Sequence, residues 1–194
     1  MRNSIRFLLF FGLFSAITGC SAILDLTKNE PIEVNSQKRT FGAWVDDLSI
    51  KTTVSHNVEK SHPDLDKAHI DVNSFNGVVL LTGEVPNAEV RAIASEQAQA
   101  VPGVRIVHNE LAIRENTSFF SRMGDGLLHK RIKLRLLGVN ELNGVNIDVI
   151  IEDDIAYLMG LVTREQGDAA AERTSLTKGL RQVVKVFEYV DEQQ

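Results

Sequence analysis

A single cysteine, Cys20, stands in the 194 residues, so no disulfide can form within the chain. The same scarcity leaves no thiolate to join a histidine in a metal site, and the five histidines (His56, His62, His69, His108, His129) fall at no metal-ligand spacing. Each is expected to be a surface residue or a local cap. No glycine-rich loop precedes a helix in the phosphate-cradling pattern, and no G-x-S-x-G nucleophile motif occurs. With 26 Asp+Glu against 21 Lys+Arg the chain is acidic, and its one basic patch holds no aromatic residue, which argues against nucleic acid as a partner. No catalytic residue, metal or cofactor is expected.

The apolar run FLLFFGLFSA, residues 7–16, is too short to span a bilayer as a permanent helix. Preceded by Arg2 and Arg6, it fits an export signal over residues 1–19. The ITGC that closes it resembles the lipobox of bacterial lipoproteins, in which the chain is cut before the cysteine and the cysteine is lipidated. Cys20 is therefore the expected lipid attachment site, and several acyl chains at about 0.8 kcal/mol per buried methylene would hold the protein at a membrane without a transmembrane helix. Lipoproteins retained at the inner membrane carry an aspartate after the cysteine; Ser21 stands there, so the resemblance implies the periplasmic face of the outer membrane. Cleavage removes two arginines and no acid from a chain of formal charge −5, leaving the mature form at −7. Affinity for an anionic surface must then be local.

Residues 20–43 hold no sustained period and are expected to form a lipidated N-terminus and tether. Beyond them the chain repeats itself. IDVNSFNGVVLLTGEV at residues 70–85 lies over IDVIIEDDIAYLMGLV at residues 147–162 with a constant offset of 77, and PGVRIV at residues 102–107 lies over KGLRQV at residues 178–183 after a one-residue slip. Upstream, Ile50, Val54 and Val58 match Leu128, Ile132 and Leu136. Each copy opens with this i, i+4, i+8 stripe of an amphipathic helix. Two strands follow, turning at Asn76-Gly77 in the first copy and Asp153-Asp154 in the second. Next come a helix over residues 87–100 or 164–177, a glycine turn at Gly103 or Gly179, and a last strand over residues 104–113 or 180–190. The spacing predicts an α+β fold of two small αββαβ units, each a three-stranded mixed sheet covered on one face by two helices.

NGVVLLTGEV, and more specifically YLMGLVTREQGDAAA with KGLRQVVKVFEYV after it, resemble tandem BON-domain outer-membrane lipoproteins. The resemblance places BON domains at residues 44–114 and 125–191, joined by a linker at 115–124. It implies a non-enzymatic protein whose second domain binds anionic phospholipids, such as phosphatidylglycerol or cardiolipin, through its first helix. It further implies a role in outer-membrane integrity, with gathering at the division site.

That helix is LLHKRIKLRLL, residues 127–137. With Leu128, Ile132 and Leu136 assigned to the core, a turn of about 100° per residue leaves Leu127, Leu134 and Leu137 on another face, among Lys130, Arg131 and Lys133. Leucines among cations mark an interfacial helix, with the apolar side chains inserting and Lys130, Arg131, Lys133 and Arg135 meeting phosphates. Arg135 lies nearest the core stripe. The position that is tryptophan in the family's best-studied member is Leu127 here. The same face would equally suit packing against the first domain or an envelope protein partner, the latter making the chain a protein-interaction module. In the first copy, residues 51–57 are polar outside the core stripe, so the outer face of that helix is expected to be solvated. Asp46-Asp47 are expected to cap the first helix, Glu152-Asp153-Asp154 to form a hairpin tip, and Trp44 to cap the core or pack between the domains.

Overall fold

The protein is described by a computed structural model at residues 39–114 and 119–191. The first unit runs α1 (Phe41–Ser61), a short α2 (Pro63–Lys67), β1 (Ile70–Phe75), β2 (Val78–Val85), α3 (Ala88–Gln99), β3 (Ile106–Asn109) and β4 (Ala112–Ile113). The second runs α4 (Phe119–Leu136), a 3-10 turn (Asn140–Leu142), β5 (Ile147–Glu152), β6 (Ile155–Val162), α5 (Arg164–Ser175) and β7 (Gln182–Tyr189). In each, the hairpin is antiparallel and the last strand pairs parallel to the middle one, with Ile70 opposite Gly83 and Ile147 opposite Gly160. The expected αββαβ order is the observed one.

Local chemistry sets the turns. Asn76 and Gly77 both take positive φ, 52° and 75°, and Asp153 and Asp154 do the same at 51° and 59°, the geometry of a tight two-residue hairpin. Asn87 caps α3 by accepting from Val90 N, and Thr163 with Gln166 forms a capping box on α5. His62 is a local cap as expected, its Nδ1 accepting from Asp64 N at 3.2 Å.

Several boundaries differ from the sequence expectation. α1 starts at Phe41, inside the expected tether, because Thr40 is its cap and accepts from Ala43 N at 3.1 Å. Asp46-Asp47 therefore do not cap it. Asp47 lies in the second turn, is buried, and accepts from Ser74 Oγ (2.6 Å), Asn76 N (2.7 Å) and Gly77 N (2.9 Å), so it secures the neighbouring hairpin instead. α4 likewise begins inside the expected linker and runs through Gly124 and Gly126. The last strand of the first unit is broken, since Asn109 Oδ1 accepts from Leu111 N at 3.2 Å and turns Leu111 into the core. α2 and the 3-10 turn have too few residues to show a period.

Each middle strand is buried on both faces. Val79, Leu81 and Val85 of β2 meet the helices of their own unit with Ile50, Val54, Val58, Val90, Ala94 and Ala98. Ala156, Leu158 and Val162 of β6 do so with Ile132, Leu136 and Ala170. The alternate residues form one further cluster shared by both units: Phe75, Val78 and Leu80 with Tyr157, Met159 and Val186. The sheets thus pack against each other by the faces that carry no helices. Burying each of these large side chains contributes about 1.5–3 kcal/mol.

Polar contacts tie both ends of this seam with repeat-related residues. At one end Arg105 is ion-paired with Glu188, and Asn76 Nδ2 donates to Glu188 at 2.9 Å. The hydrogen bond from Arg105, more than the one from Asn76, holds the Glu188 carboxyl below the ordinary glutamate range. At the other end Asp153, the counterpart of Asn76, meets Arg181, the counterpart of Arg105, at 2.6 Å and Arg114 at 3.1 Å. Arg114 also pairs at 3.1 Å with Glu84, which is wholly buried.

Candidate functional site

The helix singled out by sequence is α4. Leu128, Ile132 and Leu136 are buried, and Gly179, at φ 99°, lets the turn after α5 close against Leu128 as Gly103 does against Ile50. The opposite face is bare: Leu127, Leu134 and Leu137 are 60%, 71% and 79% exposed. They centre about 180° from the core stripe, with Lys130 between them. The seam between the units uses the sheets, so the first domain does not cover this face.

The cations divide by environment. Lys130, Arg131 and Arg135 are exposed, and none forms an ion pair with an acid among the described residues. Lys133 is half-buried and its Nζ donates to Ile147 O at 2.7 Å, fixing the end of α4 on β5. Lys133 and Arg135 in the last turn also complement the negative end of the helix dipole. Arg135, despite its place near the core stripe, points its charge to solvent.

Gly126 is a helical residue with nothing within 4 Å of the place a Cβ would occupy. Gly126→Ala is therefore expected to stabilise the second domain by about 0.5–1 kcal/mol, seen as a higher denaturation midpoint. A fall in the midpoint would mean that α4 needs the glycine's freedom at this position.

The first copy behaves differently from expectation near its start. Residues 51–57 are polar on the outside as predicted, but the first two turns of α1 expose Phe41 (78%), Trp44 (47%), Val45 (44%) and Leu48 (53%). Trp44 does not cap the core. It stacks on Phe41 with ring centroids 5.7 Å apart. The spacing 41, 44, 45, 48 is itself a helical stripe, a signal present in the sequence.

Among the described residues the acids serve the fold. Asp47, Glu84, Asp153 and Glu188 are bound up in the turns and seam, and no group of three His, Cys, Asp or Glu able to hold a metal occurs among the described residues. No helix among them is long and apolar enough to cross a membrane. Cys20 lies outside the described residues.

The BON domain model matches the chain twice, at residues 46–115 and 124–191. The outer membrane lipoprotein DolP of Haemophilus influenzae is 32% identical over 180 residues, covering 93% of this chain and 90% of that protein. The 21 kDa hemolysin of Actinobacillus pleuropneumoniae is 32% identical over 152 residues, 78% of each. Among solved structures, the C-terminal domain of CdsD, a structural protein of the Chlamydia trachomatis type III secretion system, aligns with a TM-score of 0.30 at 14% identity over 72% of this chain and 96% of that one, a likeness too slight to carry weight. Two matched domains and near full-length identity to such a relative are decisive: the chain belongs to the tandem BON-domain family that includes the outer-membrane lipoprotein DolP.

Proposed function

We propose that the protein is an outer-membrane lipoprotein anchored through Cys20 at the periplasmic face, and that α4 binds anionic phospholipid. The observation that carries this reading is the bare face of α4, three exposed leucines around Lys130 and beside Arg131, which neither the core nor the first domain covers. Leu127, Leu134 and Leu137 enter the acyl boundary. Lys130, Arg131 and Arg135 meet lipid phosphates, each contributing about 1 kcal/mol near an anionic surface. Lys133, half-buried and with one ammonium donor on Ile147 O, has two donors left for a phosphate. Phosphatidylglycerol and cardiolipin fit because the face offers cations and, among the described residues, no acid. Through this contact the protein supports outer-membrane integrity, including at the division site, as the BON-domain resemblance implies.

The test is sedimentation of the mature chain without its lipid, residues 21–194, with vesicles containing or lacking phosphatidylglycerol. Binding should need the anionic lipid and weaken with salt. Lys130→Glu/Arg131→Glu should lower affinity at least about thirtyfold, the equivalent of two lost phosphate contacts. A folded parent that ignores both kinds of vesicle would sink the reading and make α4 the docking face of an envelope protein partner.

A further inference from the structure

The exposed stripe on α1 has a different chemistry from the face of α4. Phe41, Trp44, Val45 and Leu48 point away from the core, and among the described residues no free cation stands with them: Arg39 is bound to Asp47 at 2.7 Å, and Lys51 to Asp71 at 3.8 Å. It is an aromatic and aliphatic surface, with the exposed Asp46 on the flank of the same turns.

Two features say what covers it. The first is its place along the chain. The path from Cys20 enters the folded body at Arg39 and Thr40, directly before Phe41, and Arg39 is locked there, 10% exposed, with its guanidinium 5.0 Å over the ring of Phe75. An anchor on Cys20 leaves about twenty residues before the patch, at most about 70 Å of extended chain. No other described surface is nearer the anchor along the backbone. The second feature is continuity with the α4 face. Arg39 also reaches Asp148 at 3.7 Å on β5. The residue before it, Ile147, receives the Lys133 ammonium and shares with Lys133 and Leu137 the lining of a 260 Å³ recess. The start of α1 and the end of α4 therefore stand at one end of the two-domain body.

We infer that Phe41, Trp44 and Leu48 form a second contact with the bilayer, seated at the boundary of headgroups and acyl chains where amphipathic aromatic rings are favoured. The contact rests on the anchored, lipid-facing reading of α4. That helix selects the headgroup, and the aromatic patch fixes how the body leans on the membrane.

Trp44 is the only tryptophan, so it reports on itself. The experiment uses the lipidated mature protein, reconstituted into phosphatidylethanolamine–phosphatidylglycerol vesicles with or without lipid brominated near the top of the acyl chain. Trp44 emission should shift to the blue relative to the unlipidated protein in buffer and fall about twofold with brominated lipid, as for a ring at the interface. Phe41→Ser/Leu48→Ser, which keeps the reporter, should lose most of that quenching. Emission that matches the buffer form and ignores bromine would overturn the inference, as would a blue shift without bromine quenching, which would mean a second protein molecule covers the ring. The α4 reading is judged separately, by whether Lys130→Glu/Arg131→Glu abolishes sedimentation of the unlipidated chain, so either idea can fail alone.

Discussion

Gly83→Ala unfolds the first domain at denaturant concentrations where the parent is intact, with an expected loss of about 4 kcal/mol or more. Two separate costs meet at this residue. Its φ is 122°, a conformation that L side chains rarely adopt, and an added Cβ would sit 2.0 Å from the carbonyl oxygen of His69. The strand cannot simply move away. Glu84 N donates to that same oxygen at 2.9 Å, and Gly83 is paired with Ile70 in the register that faces Val72, Leu81 and Val85 to the helices. A loss of this size approaches the whole stability of a typical small domain. Gly160 holds the same place in the second copy and supplies the control. Its Cβ would approach Asn146 O at 2.8 Å, but its φ lies outside the left-handed region, so Gly160→Ala is expected to cost about half as much. Chemical denaturation followed by circular dichroism compares them. Equal midpoints for the two variants would show that the backbone conformation at Gly83 contributes nothing beyond the close approach.

Arg114→Ala is expected to cost about 3 kcal/mol, the lower end of the usual loss when one member of a buried pair is removed, because the Arg114 side chain is 35% exposed while Glu84 is 0%. The guanidinium neutralises Glu84 inside the first sheet and reaches across to Asp153 at the tip of the second hairpin, so its removal strikes the core of one domain and the seam to the other. Replacing both partners, Arg114→Leu with Glu84→Leu, should recover most of the loss, since the carboxylate that is expensive to leave in the interior has gone. A double-mutant cycle on denaturation midpoints measures the coupling. If Arg114→Ala stays within about 0.5 kcal/mol of the parent, solvent reaches Glu84 and the pair is not a structural link.

Much of this fold was legible in the sequence. The Asn76-Gly77 and Asp153-Asp154 turns arise from residues that tolerate positive φ, and the stripes Ile50, Val54, Val58 and Leu128, Ile132, Leu136 do lie on the core. The misplaced features are instructive in the same terms. Asp47 looked like a cap because acids next to a helix start usually are, but the carboxylate goes to a hairpin 27–30 residues away along the chain. Trp44 looked buried because large aromatics usually are. Its angular position on α1, off the stripe of Ile50, Val54 and Val58, follows from a helix that begins at Phe41, ahead of the Asp46-Asp47 pair expected to cap it.

For the candidate site, the sequence established that α4 has two apolar faces and which residues lie on each. It could not say which surface covers the second. That depended on the middle strands: Val78, Leu80, Tyr157 and Met159 read simply as apolar runs, and only their meeting across the seam shows that the first domain is used up on the sheet side and leaves Leu127, Leu134 and Leu137 bare. Turn type, helix phase and the internal repeat were settled by the sequence, because each is set by residues within a few positions of one another. The sheet-to-sheet seam, the burial of Asp47 and Glu84 and the exposure of the aromatic patch were decided by the tertiary structure, because the burial of a face depends on side chains dozens of residues away, which local periodicity does not encode.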